Sequence, residues 1–197
     1  MDFTKAKKAF LVLADGTVFE GKSFGAEGTV TGEVVFTTSM VGYQETLTDP
    51  CYNGQMVVQT FPLIGNYGTN DEDYASDNST VNGYIVREYC EEPSNFRCTS
   101  TIDDFMKKHG IVGLYDIDTR QLTRIIRENG VMNGMITVAD SINVADVIDE
   151  IKRCETNSGV SGLSVKEKKV FKSENSKYNV ALIDFGDTKA YVSELLK

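Results

Sequence analysis

Gly32 to Asn70 reads GEVVFTTSMVGYQETLTDPCYNGQMVVQTFPLIGNYGTN: two short apolar, β-branched runs, with irregular polar loops between and after them. The runs Glu33 to Thr37 and Met56 to Thr60 are expected strands, because branched and aromatic side chains suit a pleated, half-buried surface. Between them, Thr38 to Tyr52 is polar, is punctuated by Gly42 and Pro50, and keeps no steady hydrophobic period. It reads as a shaped loop or a short turn-helix. Loops held on a rigid scaffold are where binding surfaces usually sit.

The flanking sequence extends the pattern. Phe10 to Leu13 and Thr17 to Phe19 bracket Asp15-Gly16, a pair that accepts the positive φ of a two-residue type I′ hairpin turn. Further strands are expected at Tyr84 to Arg87, Ile111 to Leu114 and Met135 to Ala139. Three helices accompany them. Ser100 is placed to cap one that runs to His109, with Asp103 and Asp104 in its positive first turn and Gly110 ending it. Asp118 opens the second, with Gln121 as its capping-box partner and an αL stop at Asn129-Gly130. On it Leu122, Ile125 and Ile126 share a face, while Arg120, Arg124 and Arg127 lie elsewhere around the helix. Asn143 opens the third, with Val144, Val147, Ile148 and Ile151 as its buried stripe.

Strand and helix signals at this density predict one α/β domain over 1–155. A linker follows at 156–178, containing SGVSG and the charged KEKKVFKSENSK. At 179–197 a second α/β domain begins: NVALID (179–184) as a buried parallel strand, Phe185-Gly186 as a turn, and a helix from Lys189. One strand and part of a helix cannot form a core, so the expectation is a domain started and not finished.

Charge and thiol content bound the function. A net charge of −9 argues against nucleic acid or an anionic membrane as partner, since phosphate binding needs clustered Lys and Arg. Lys5, Lys7 and Lys8 precede only six apolar residues, Ala9 to Ala14, too few for a signal-peptide core or a membrane span. Four cysteines without a C-x-x-C pair read as reduced thiols, which points to the cytoplasm. Asp71-Glu72-Asp73 with Asp77 lacks the spacing of a calcium loop and reads as solvated surface, so no metal site is expected. Neither GxxxxGK[ST] nor a strand-to-helix GxGxxG occurs, so no nucleotide cradle is expected.

Three runs carry a family resemblance: LVLADGTVFEG at 11–21, the stretch at 32–70, and GIVGLYDIDTRQLTRIIRENGVMNG at 110–134. They resemble the N-terminal domain of the small, glutamine-using subunit of carbamoyl-phosphate synthase, and 179–186 resembles the first strand of that family's class I glutaminase domain. The resemblance implies a layered β/β/α domain that docks on a large synthetase subunit and packs beside the glutaminase domain. It places a Cys-His-Glu triad on the glutaminase domain, and ATP and Mg on the large subunit, for arginine or pyrimidine synthesis. The family's nucleophile stands in a G-x-C-x-G elbow. Cys51, Cys90, Cys98 and Cys154 all lack the flanking glycines, so no catalytic residue is expected in this chain, nor any cofactor of its own. His109, just before Gly110, is expected to be a partly exposed cation at a helix end.

The resemblance also makes Cys51, after Asp49-Pro50, a candidate glutamine contact where the family usually has serine. The other reading is a small thiol buried behind the turn. Tyr43 and Gln44 in the first loop, and Pro62 to Gly68, either face a partner or anchor their loops to the core. Arg120 and Arg124 either meet an acidic partner surface or remain solvated. A second function stands beside the first: a complete, non-catalytic module that docks on a synthetase.

Overall fold

The computed structural model describes residues 6–76, 78–155, 160–173, 177–186 and 189–197. Seven strands close into a barrel in the order β1 (Lys8–Leu13), β2 (Val18–Gly25), β8 (Val112–Tyr115), β6 (Gly83–Ile85), β4 (Met56–Gln59), β3 (Thr29–Thr37) and β9 (Asn133–Val138). Two short strands, β5 (Leu63–Ile64) and β7 (Glu88–Tyr89), pair separately. The helices are α1 (Tyr43–Thr48), α2 (Ile102–His109), α3 (Thr119–Asn129), α4 (Val144–Arg153), α5 (Val160–Leu163) and α6 (Lys189–Leu195). The class is mixed α/β, as expected from the sequence, and the main sheet is a closed barrel.

Strand alternation sorts the core. Ala9, Leu11, Leu13, Val34, Met56, Val58, Ile85, Leu114 and Ile136 fill the interior, where Leu122 and Ile126 of α3 join them. The opposite face of β4 and β6, Val57 and Tyr84, packs under Tyr43, Leu47, Ile102, Phe105 and Met106. Outside β1 and β9, Val12 and Met135 meet Ile151 of α4. A strand covered on both faces loses its polar alternation, which is why β1 reads apolar from Ala9 to Leu13.

Several local expectations change. The β1–β2 hairpin turns through Ala14-Asp15-Gly16, not two residues: Gly16 N–H donates to Leu13 O and Leu13 N–H to Thr17 O. Among the described residues only Asp116 is a non-glycine with positive φ, so Asp15 does not adopt a type I′ geometry. Gly16 supplies the left-handed residue instead, at φ 89°. Helix α2 is capped by Thr101, whose hydroxyl accepts from Asp104 N–H, not by Ser100. Asp118 does cap α3, accepting from Gln121 N–H at 2.9 Å. That helix stops at Gly130 with φ 79° and ψ −129°, outside the αL region. Along α4, only Ile151 is buried, and Val144, Val147 and Ile148 are half-buried.

The strand expected at 179–184 is not formed. Val180, Leu182 and Ile183 are exposed, because among the described residues no strand lies beside them to satisfy the backbone. A helix does form from Lys189.

Candidate functional site

Strand direction defines the site. The pairings β3–β4, β4–β6 and β6–β8 are all parallel, so these four strands end at one rim. Residues 38–42, 60–62, 86–87 and 116–118 leave the barrel there. Helix α3 begins directly after the last of them, closing the barrel with Leu122 and Ile126.

The 38–52 segment is built rigidly on this rim. Gly42, at φ 81°, turns the chain into α1. Tyr67 Oη accepts from the N–H of Gly42 at 2.8 Å and of Tyr43 at 3.3 Å, and the two tyrosine rings stack with centroids 4.2 Å apart. Tyr43 Oη donates to Gly68 O at 2.6 Å. The Gln44 amide clips Asn70 like a strand pair, Nε2 donating to its carbonyl at 2.6 Å and Oε1 accepting from its N–H at 2.9 Å. Thr48 Oγ1 accepts from Ala75 N–H and donates to Gln44 O, both at 2.9 Å. Behind the loop, Tyr84 Oη donates to Gln59 Oε1 at 3.2 Å, and Gln59 Nε2 donates to Ser39 O at 2.5 Å.

Burial pushes the phenols of Tyr43 and Tyr84 far above their usual range. They stay protonated donors, so the network holds at any physiological pH.

Tyr43 and Gln44 are therefore anchors. At 1% and 0% exposure their side chains face into the domain, and neither offers an atom outward. What the segment presents is Met40 and Val41, each 70% exposed, with Phe61 and Leu63 partly exposed beyond the neighbouring strand end. Two consecutive apolar residues in a polar loop were the signal for this surface. Gln59 carried a signal too, as a polar residue closing an apolar strand.

Cys51 lies on the surface, not buried behind the turn. Its N–H donates to Asp49 Oδ1 at 2.8 Å within the 3₁₀ turn Pro50–Tyr52. Arg120 and Arg124 are exposed on α3 beside a shallow cleft of about 430 Å³ that Asp118, Gln121, Ile125 and Glu128 complete. The structure thus brings Tyr43, Gln44 and Cys51 together in one segment and sets the two arginines on the helix that closes the same rim.

His109 differs from expectation. It is half-buried against Phe105, ring centroids 4.5 Å apart, and its Nε2 is buried with no partner. Burial, with Lys108 beside it, lowers its pKa, so it is a neutral packing group, not a cationic cap. In the acidic loop, Asn70 Nδ2 donates to Asp73 at 2.7 Å, and Arg97 reaches Glu72 at 2.8 Å and Asp73 at 2.9 Å. The Asn70 bond first, then Arg97, holds the Asp73 carboxyl low. Asp77 lies outside the described residues.

Among the described residues no group of three His, Cys, Asp or Glu side chains is placed to hold a metal. Nor is any helix there long and apolar enough to cross a membrane.

Residues 11–136 match the family "Carbamoyl-phosphate synthase small chain, CPSase domain". A carbamoyl phosphate synthase small chain of Clostridium perfringens is 47% identical over 96% of this chain and 54% of its own length. Those of Syntrophotalea carbinolica and Bacillus thuringiensis subsp. konkukian are 59% identical over 68% and 35%, and 45% identical over 96% and 51%, respectively. The chain spans about half the length, or less, of these curated relatives. Among solved structures, an aminopeptidase from Aneurinibacillus sp. strain AM-1 overlaps 69% of this chain and 31% of that one at TM-score 0.42 and 16% identity, a likeness too loose to carry an argument.

Proposed function

The chain belongs to the carbamoyl-phosphate synthase small-chain family, and we propose that it serves as the amino domain of a glutamine-dependent synthase, docking on the large synthetase subunit. On this reading it borders the glutaminase site that supplies ammonia for carbamoyl phosphate, in cytoplasmic arginine or pyrimidine synthesis. The layered β/β/α arrangement of the family's amino domain belongs to the same reading.

The observation that carries the proposal is the overlap of two boundaries. The family match at 11–136 coincides with the closed barrel, which runs from Lys8 to Val138.

The chemistry of this chain is positional. Glutamine hydrolysis needs a thiolate, a base and oxyanion donors. Here the sole histidine is packed on Phe105 with its pKa lowered, and no cysteine stands in a glycine elbow. The chain alone is inactive on this proposal, with the triad on a glutaminase domain and ATP with Mg on the large subunit. Its contribution is a preorganised wall: the buried network fixes 38–52, so ordering it on binding costs little entropy. On this reading Cys51, exposed in the Asp49 turn, contacts glutamine through its backbone carbonyl or a weak S–H bond, its N–H being engaged by Asp49.

Co-elution with the cognate large subunit, by size-exclusion chromatography with light scattering, tests the proposal. A one-to-one complex is expected. Separate elution of two folded proteins would refute docking by this domain. Ammonia release from glutamine by the chain alone, above the uncatalysed background, would refute its assigned inactivity.

A further inference from the structure

Four of the chain's six arginines, Arg87, Arg120, Arg124 and Arg127, lie at the barrel rim that α3 closes, and all four are exposed. Among the described residues none of them forms an ion pair, in contrast to Arg97. On α3 the spacing is i, i+4, i+7, which sets Arg120, Arg124 and Arg127 in one stripe opposite the buried Leu122 and Ile126.

The stripe breaks the local rules of a stable helix. Arg120 sits in the first turn, where the backbone N–H groups already concentrate positive charge. Arg120 and Arg124 are like charges four apart, and Arg124 and Arg127 three apart, spacings at which like charges repel. Glu128 stands four residues after Arg124 without pairing to it, and Asp118 is engaged in capping. Near Arg87, Asp116 is held by Lys22 at 2.8 Å. A chain of net charge −9 thus keeps a cationic stripe at a cost to its own helix, and conflicts of this kind mark sites shaped for something outside the fold.

We propose that the outer face of α3, with Arg87 beside it, is the docking surface for a protein partner that presents carboxylates. The inference rests on the docking reading above and names the surface involved. Charge complementarity decides the occupant. Planar guanidinium forks match carboxylates in pairs, and desolvated arginines anchor interfaces more than lysines do. The net negative charge of the rest of the chain disfavours a polyphosphate partner.

The test titrates the chain with the large synthetase subunit at about 0.05 M and about 0.5 M salt. The wild type is compared with the triple variant R120Q/R124Q/R127Q and with the single variant Arg124→Gln. The wild type is expected to bind more weakly at high salt. The triple variant should lose about tenfold or more in affinity together with most of that salt dependence, and the single variant should fall between. The triple variant should melt within a few degrees of the wild type, since the repulsion it removes is offset by the loss of Arg127 from the last turn, where a cation suits the helix dipole.

If the wild type binds and the triple variant binds equally well, this inference is overturned and the docking reading stands. If the folded wild type does not bind at all, both fall.

Discussion

Replacing Gln44 by Met isolates the clip that fixes the 38–52 segment. The side chains are close in length, so packing volume is nearly conserved, and Gln44 is wholly buried. What is lost is the pair of bonds to Asn70, at 2.6 and 2.9 Å. Asn70 itself is 7% exposed, so its N–H and C=O are left with little access to water. Each unsatisfied backbone group costs about 1–3 kcal/mol, which puts the variant about 3–4 kcal/mol below wild type. That is a large share of the roughly 5–15 kcal/mol typical of a domain. At about 2–4 °C per kcal/mol for a domain of this size, the melting temperature should fall by about 10 °C. Urea denaturation followed by tyrosine fluorescence measures it. An unchanged slope with a loss under about 1 kcal/mol would mean that the loop relaxes to water without cost, and the argument for a preorganised wall would fail.

Other perturbations have equally definite outcomes. Gly68 has φ 67° and its added Cβ would run into Cys98 Sγ, so Gly68→Ala should lose about 3 kcal/mol from backbone strain and overpacking together; a loss below about 1 kcal/mol in chemical denaturation would contradict this. Because the pKa of His109 is lowered in the folded state by burial and by Lys108, the neutral side chain contributes stability above its unfolded value of about 6.5. That contribution is lost as pH falls through the lower folded pKa, so wild type should weaken below about pH 6.5 more steeply than His109→Gln, and parallel urea midpoints for the two would refute it. Deleting residues 179–197, whose apolar side chains at 180, 182 and 183 are exposed, should leave the melting temperature of the barrel unchanged, whereas a clear drop in calorimetry would show that the tail is integral.

The strands were legible because alternation and branching are local. Met56, Val57 and Val58 announce a strand covered on both sides, and the structure buries all three. Helix starts were legible where one polar side chain decides them, as at Asp118 and Asn143. Between Ser100 and Thr101 both residue types cap equally well, so only geometry chooses. The barrel's closure was not legible, since β2 pairs with β8 and β3 with β9 across about a hundred residues.

The site divides the same way. Its position in 38–52 could be read from the broken periodicity. The inward direction of Tyr43 and Gln44 could not, because their partners, Gly68 and Asn70, are set by how β4 and the following loop return. The strand expected at 179–184 was read from its apolar run and a family resemblance, and a strand needs neighbours that the described residues do not supply.

Hydrogen exchange of the chain, alone and saturated with the large synthetase subunit, puts the central claim to its most direct test. The account predicts slowed exchange in 119–129 and in the rim loops at 38–42 and 60–62, with the far side of the barrel around α4 unchanged. Saturated binding that leaves the rim unprotected, or that protects α4 instead, would contradict it.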